Sequence, residues 1–434
     1  MKNYQLSIER YQTYKNSEIE WLGEVPEHWE IKKFNHIAQI VEGQIDPKEE
    51  PYKDYVLIAP NHIESGTGRL LYKETAFDQS AESGKYLFRA NDVIYSKIRP
   101  ALKKVWKANF PGICSADMYP IRLLKGKIEP NYFIFLCLSE SFSNFMIATS
   151  MRVAMPKVNR DDFHECHFVI PLLPEQKSIA QYLDTKTAQI DRKIDLLTQK
   201  AKSYADLKRS LINETVTRGR DRSVPMKDSG IEWIGEVPEH WGVTAVTGIT
   251  TTVSIKNYPD EELLSVYRDY GVIIKSTRDD NHNRAGENLA GYKLVEPGFL
   301  VINKMKAWQG SLGVSEFRGI VSPAYITCKT NKRIVERSYL HHLLRCRNYI
   351  HEYNRLSYGV RVDQWDMRYD DFKYVPVLLP PLSEQKAIAD YLDTKTTQID
   401  QIIQTINTQI EKLKELRKTL INDVVTGKIK VAED

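Results

Sequence analysis

Two long polar stretches of the chain carry apolar residues at intervals of three, four and seven. In the first stretch these are Leu183, Ile190, Ile194, Leu197, Ala201, Tyr204 and Leu211. In the second they are Leu392, Ile399, Ile403, Ile406, Ile410, Leu413 and Leu420, at matching places. A spacing near 3.5 residues draws one narrow apolar stripe along a helix, the seam of a coiled coil. Prolines lie just before both starts, Ser383 is placed to cap the second helix, and Gly219 and Gly427 lie where the helices should stop. Some 40 residues rising 1.5 Å each predict rods about 60 Å long. A stripe of this kind needs a partner. The two helices can bury each other, parallel or antiparallel, or each can dock on its own globular domain.

The segments between the helices follow a different rhythm. Short β-rich runs such as YVLIAP (55–60), DVIYSKI (92–98), YPIRLL (119–124), GFLVINKM (298–305) and YITCK (325–329) are broken by Gly, Pro and Asn. Short helices are predicted near 131–148 and 337–354, where Leu, Phe and Tyr recur at helical spacing. Each segment reads as a compact α+β domain.

The chain also repeats itself, and that constrains its architecture most strongly. PLLPEQKSIAQYLDTKTAQID at 171–191 returns as PPLSEQKAIADYLDTKTTQID at 380–400. IEWLGEVPEHW at 19–29 returns as IEWIGEVPEHW at 231–241, the one difference being Leu22 against Ile234. LINETVT (211–217) matches LINDVVT (420–426), and SADMYPI (115–121) loosely matches SPAYI (322–326). The chain is therefore a duplicated unit whose anchors stay alike while the stretches between them diverge. In circular order the second GEVPEHW follows the end of the first helix. The first copy should then pack near the end of the second helix, around residues 420–430.

Composition narrows the chemistry. The chain has 434 residues, a formal net charge of +4 and five scattered cysteines: Cys114, Cys137, Cys166, Cys328 and Cys346. No disulfide framework and no membrane span are expected, and a cytoplasmic location is. No phosphate-binding loop, nucleophile elbow, HExxH helix or glycine-rich cofactor loop is present. His164, Cys166 and His167 lack a second pair of ligands, and the matching positions of the second unit carry none, so no metal is expected. Asp161-Asp162 and Asp370-Asp371 suit backbone capping better than catalysis.

Each domain instead holds two basic clusters among aromatics: SKIRPALKKVW (96–106) and MRVAMPKVNR (151–160) in the first, NKMKAWQG (303–310) and NRLSYGVRVDQWDMR (354–368) in the second. Arg, Lys, Asn and Gln are the side chains that pair with base edges or hold phosphates. Candidate DNA contacts are Lys97, Arg99, Lys103, Lys104, Arg152, Lys157, Asn159 and Arg160, then Lys304, Lys306, Trp308, Gln309, Tyr358, Arg361, Gln364 and Arg368.

In order and in sequence, the two EW(L/I)GEVPEHW openings, the SKIRP run, NKMKAWQGSLGV followed by GIVSPAY, and the two EQK helix starts resemble the specificity subunit of type I restriction–modification enzymes. The resemblance spans the whole chain. It implies an α+β protein with a pseudo-twofold internal repeat: target-recognition domains at 1–170 and 220–379, separated by two long antiparallel coiled-coil helices at 171–219 and, with the C-terminal tail, 380–434. It further implies that each domain reads one half of a gapped DNA target and that the helices fix the gap. The helices would dock two modification subunits, through faces that include Lys186, Lys193 and Lys395, and restriction subunits would join that core. No cofactor is expected on this chain: S-adenosylmethionine, ATP and Mg belong to the partners, so the chain itself is not an enzyme. The rival readings are a single-chain DNA methyltransferase or nuclease, a coiled-coil scaffold that binds no specific DNA, and a regulator that binds DNA on its own.

Overall fold

The computed structural model describes residues 9–150, 156–278, 288–359 and 365–431. The chain divides into two compact units, one formed by residues 1–197 with 408–434 and the other by residues 198–407. Both division points fall inside long helices, Leu173–Arg218 and Leu382–Val425. Each unit thus owns the start of one long helix and the end of the other.

Within the first unit, strands Ala38–Ile40, Met118–Leu123, Val93–Ser96 and Val105–Lys107 form an antiparallel sheet in that order. A second sheet runs Gln44–Ile45, Lys85–Phe88, Gly112–Cys114 and Leu57–Ile58, its last pair parallel. The predicted helical region forms as Pro130–Leu138 and Glu140–Ser150. The second unit repeats the first sheet with Thr250–Val253, Ile326–Thr330, Phe299–Ile302 and Leu312–Val314. Its helices are Arg337–Leu344 and Arg347–Leu356. Register confirms the duplication, since Val93 pairs with Ile121 and Leu300 with Cys328, all shifted by 207 residues. All five cysteines are free and buried.

The anchors explain themselves as a clamp. In the first unit Glu175, in the opening turn of the first long helix, accepts hydrogen bonds from Trp29 Nε1 at 3.0 Å and the Tyr11 hydroxyl at 2.7 Å, and meets His28 Nε2 at 3.0 Å. In the second, Glu384 accepts from Trp241 Nε1 at 3.2 Å and meets His240 Nε2 at 2.7 Å. The neighbouring glutamine has a separate task. Gln176 Oε1 accepts from the Glu129 amide at 2.8 Å while its Nε2 donates to the Pro171 carbonyl at 2.8 Å. Gln385 does the same for Glu336 and Pro380, each at 2.8 Å. Those two glutamates in turn cap the short helices through the amides of Tyr132 and Tyr339. Trp, Glu and Gln recur as polar groups taken wholly or partly out of water that need their partners, while His28 and His240 meet the glutamates from the exposed side.

The far ends of the long helices are seated by asparagines. Asn422 Oδ1 accepts from the Ser141 amide at 3.0 Å in the first unit, and Asn213 Oδ1 from the Asn348 amide at 3.2 Å in the second. Val25 and Trp29 share a core with Ile421, Val424 and Val425. The first GEVPEHW copy thus packs at the end of the second helix, as the circular order predicts. In each unit the two helix segments run antiparallel. Asp191 pairs with Arg417 in the first and Lys208 with Asp400 in the second, while Ile179 shares a core with Val425 and Val216 with Ile388.

Every stripe residue named above is buried or half-buried. Their roles differ along the helix. Leu183 and Leu392 lie in the domain cores, and Leu420 and Leu211 pack against them, so the ends of each stripe serve the globular bodies. The stretches of Ile190, Ile194, Leu197 and Tyr204 and of Ile399, Ile403, Ile406, Ile410 and Leu413 lie between those docked ends. Ser383 is not the cap, because the helix begins at Leu382 and places Ser383 inside the first turn. Gly219 and Gly427 do end the helices, at φ +75° and +77°. Among the described residues no single helix is long and apolar enough to cross a membrane.

One difference between the units has a pH consequence. His341 occupies the place that Ile134 holds in the first unit, and Arg345 Nη1 donates to its Nε2 at 2.6 Å. Burial holds the His341 imidazole well below its usual value, and Arg345 and His342 push the same way. The unfolded chain takes up this proton near pH 6.5 while the folded chain does not. The neutral ring therefore contributes fully above 6.5, and stability falls as pH drops below it, by up to about 1.4 kcal/mol per pH unit. His341→Ile should flatten that acid slope in urea unfolding between pH 7.5 and 5.5. An unchanged slope would assign it to another group.

Candidate nucleic-acid interface

The candidate basic residues separate into those used internally and those presented outward. Lys103 Nζ binds Glu140 Oε1 at 2.5 Å and the Leu138 carbonyl at 3.3 Å, and its side chain is only 12% exposed. Lys104 Nζ donates to the Pro60 carbonyl at 2.5 Å. Both ammoniums are engaged by groups of their own unit. Arg99 is exposed, at a left-handed turn with φ +50°. Arg152, Arg361 and Gln364 lie outside the described residues.

The structure brings Lys97, Lys157 and Arg160 together from two chain segments. The Val158 amide donates to the Lys97 carbonyl at 2.8 Å, and Ile98 bridges Lys157. The Lys97 ammonium stands 5.4 Å from the Tyr119 ring centre. Burial pushes it below its usual value, and Lys157 beside it adds to that shift. Arg160 pairs with Glu42. Asn159 is exposed, and its amide donates to Asp162 Oδ2 at 2.6 Å. Asp162 thus turns inward as a helix-start cap. Gln44 Nε2 donates to the Tyr86 hydroxyl at 3.2 Å on the neighbouring sheet.

The second unit builds the same place with different chemistry. Met367 donates its amide to the Lys304 carbonyl at 3.0 Å, as Val158 does to Lys97. Lys304 Nζ pairs with Asp366 Oδ2 at 3.2 Å. The Arg368 guanidinium lies 4.9 Å from the ring centre of Tyr358, whose hydroxyl reaches Asp371 Oδ2 at 3.1 Å. Trp308 stacks obliquely on Trp365 at 5.0 Å, and its buried Nε1 has no hydrogen-bond partner among the described residues. Lys306 is exposed and Gln309 half-buried. Asp370 pairs with Lys373.

Lys85, Tyr86 and Gln44 in the first unit and Lys293, Asn303 and Tyr325 in the second are further polar and aromatic residues held by contacts within their own unit. Lys293 Nζ donates to the Tyr325 carbonyl at 2.6 Å, and Asn303 Nδ2 to the Tyr325 hydroxyl at 3.4 Å. A Lys-Tyr pair at 85–86 stands against a Tyr-Lys pair at 292–293, 207 residues on. His164 turns to Asn35, its Nδ1 2.5 Å from Oδ1, while Cys166 is buried in the core.

The chain is a duplicated α+β frame with repeated anchors and two unlike sets of basic and aromatic residues. Residues 26–202 and 238–412 both match the family model described as the type I restriction modification DNA specificity domain, and the chain belongs to that family as a specificity subunit. It is 34% identical over 196 residues to the EcoDI specificity subunit of Escherichia coli, a match covering 43% of this chain and 42%, less than half, of that subunit. It is 23% identical over 433 residues to the MjaVIII specificity subunit of Methanocaldococcus jannaschii, covering 94% of each. Two solved structures share the fold. One is a chain from work on complex assembly and conformational transition of the type I R-M system, 20% identical with a TM-score of 0.71 and covering 92% of this chain and 98% of that one. The other is the HsdS subunit from Thermoanaerobacter tengcongensis, 19% identical with a TM-score of 0.52 and covering 93% and 98%.

Proposed function

We propose that each domain reads one half of a gapped, two-part DNA sequence, and that the paired long helices set the gap and dock two modification subunits. The chain carries no chemistry of its own in this reading. S-adenosylmethionine belongs to the modification subunits, and ATP, Mg and strand cleavage belong to restriction subunits joining the same core in the prokaryotic cytoplasm. One observation carries the proposal. The Trp–His–Glu clamp, the Gln tie and the Asn seat are the same in both units, while the basic faces they support differ residue by residue. A partner bound twice needs equal frames, and two different half-sites need unequal faces. The first long helix spans 46 residues. At 1.5 Å per residue it is about 69 Å long, more than the roughly 34–36 Å of one DNA turn.

The test is sequencing of methylated sites in DNA from cells that express this chain with a modification subunit. The expected result is a single gapped motif that disappears when the chain is removed. Exchanging residues 30–155 for those of a relative should alter one half of that motif only. An ungapped motif, or both halves altered together, would rule out one half-site per domain.

A further inference from the structure

The corresponding places at 157 and 366 hold opposite charges against corresponding lysines. Lys97 and Lys304 receive equivalent main-chain hydrogen bonds, from Val158 and Met367. Lys304 is neutralised by Asp366 at 3.2 Å. Lys97 is 9% exposed and faces another cation instead. Neither Lys97 nor Lys157 has an ion pair among the described residues, and the other charged groups near Lys97 are Asp117 and Arg160, the latter paired with Glu42. The two ammoniums repel each other, and the nearly buried one, Lys97, has exchanged most of its hydration only for the face of the Tyr119 ring 5.4 Å away and the field of Asp117. An anion with two acceptor oxygens would relieve both costs, and Lys157, being exposed, leaves the way to it open. The two non-bridging oxygens of a phosphodiester meet that requirement.

We infer that Lys97 and Lys157 jointly hold one backbone phosphate of the half-site bound by the first domain, and that the second domain, closed by its Lys304–Asp366 pair, holds none at the matching place. This rests on the reading that both domains bind DNA. It makes the first domain the salt-sensitive anchor, with the second depending more on contacts other than this phosphate.

The experiment uses the full chain assembled with its modification subunits and duplexes carrying the methylated motif. Single phosphates are replaced one at a time by neutral methylphosphonate. Lys157 is exposed, so Lys157→Ala leaves the core untouched. One neutral phosphate in the first half-site should weaken binding about tenfold, Lys157→Ala should weaken it similarly, and the two together should cost no more than either alone. The slope of log K against log[salt] should fall by about 0.9 in Lys157→Ala. Asp366→Lys should raise that slope by a similar amount and make one phosphate of the second half-site sensitive. Additive losses, or an unchanged slope, would overturn the inference. Loss of discrimination at a single base pair with the slope unchanged would overturn it too, by making Lys157 a base reader. An unaltered assembly that binds the motif no better than unrelated duplex would instead overturn the DNA-reading proposal on which this inference rests.

Discussion

Alanine in place of Trp29 is expected to destabilise the first unit by about 3–5 kcal/mol, the range for emptying a fully buried large aromatic site. Trp29 is 0% exposed and lies in the core that joins the N-terminal segment to Ile421, Val424 and Val425. Its ring also packs edge-on against Tyr11, at 5.6 Å between centres. Losing the indole removes one of Glu175's donors, yet Tyr11 and His28 remain, so the cavity rather than the hydrogen bond dominates. Trp29→Phe, which keeps much of the volume and loses the N–H, should cost nearer 1 kcal/mol than the alanine change does. The helix-ending glycines provide an internal control. At Gly427 an added Cβ would sit 2.3 Å from Pro26 Cδ, whereas at Gly219 the nearest atom, Trp241 Cζ2, is 3.3 Å away. Both have φ near +75°, so both alanine variants bear the left-handed cost of roughly 1–2 kcal/mol. Gly427→Ala adds a clash with a ring that cannot swing aside and should be clearly worse. Native-state hydrogen exchange reports local stability and would read each unit separately. A Trp29→Ala cost below about 1 kcal/mol would mean that the segment is not held through its indole.

Much of this architecture was legible because repetition and period survive without knowledge of contacts. The two stripes fixed the long helices, and circular order placed the first anchor at the end of the second helix. What the stripe could not show is where one of its faces changes partner: Leu183 and Ile190 share a rhythm, yet only Leu183 lies in the domain core. The clamp was visible as a repeated string, but its cause lies in Glu175 and Glu384, about 145 residues downstream of each motif. The basic clusters were read by residue type, and type does not say where an ammonium is already occupied. Lys103 and Lys104 stand in the same cluster as Lys97 but are held by Glu140 and by the Pro60 carbonyl. The Lys97–Lys157 pairing arises from one main-chain hydrogen bond across 60 residues of sequence, and no local pattern marks it.

The ion pairs between the long helices should respond very unequally to the same substitution, although the duplication makes them counterparts. Asp191 with Arg417 and Asp400 with Lys208 occupy corresponding positions, 209 residues apart in each helix alignment. In the first unit the side chains are 9% and 15% exposed, with Nε 2.9 Å from Asp191 Oδ1, and Arg417 also donates to the Gly66 carbonyl at 2.7 Å and the Thr67 carbonyl at 3.5 Å. Arg417→Ala leaves Asp191 a largely buried, uncompensated charge and strands those carbonyls, so a loss of about 3–5 kcal/mol is expected. In the second unit Lys208 and Asp400 are 29% and 57% exposed, water screens the pair, and Lys208→Ala should cost at most about 1 kcal/mol. Arg417→Lys separates the two parts of the larger effect. It keeps a cation for Asp191 but not the planar fork that reaches the loop carbonyls, so its cost should fall between those of Arg417→Ala and the parent. Replacing Arg417 and Asp191 together by leucine should recover most of the alanine loss, because it is the unpaired charge that is costly. Urea unfolding of the four variants would decide the matter. Equal costs for Arg417→Ala and Lys208→Ala would show that burial does not distinguish the two pairs. The expected inequality would show that the second helix is fastened to the first domain's loop by more than charge, at the place where the helix segment meets the DNA-reading body.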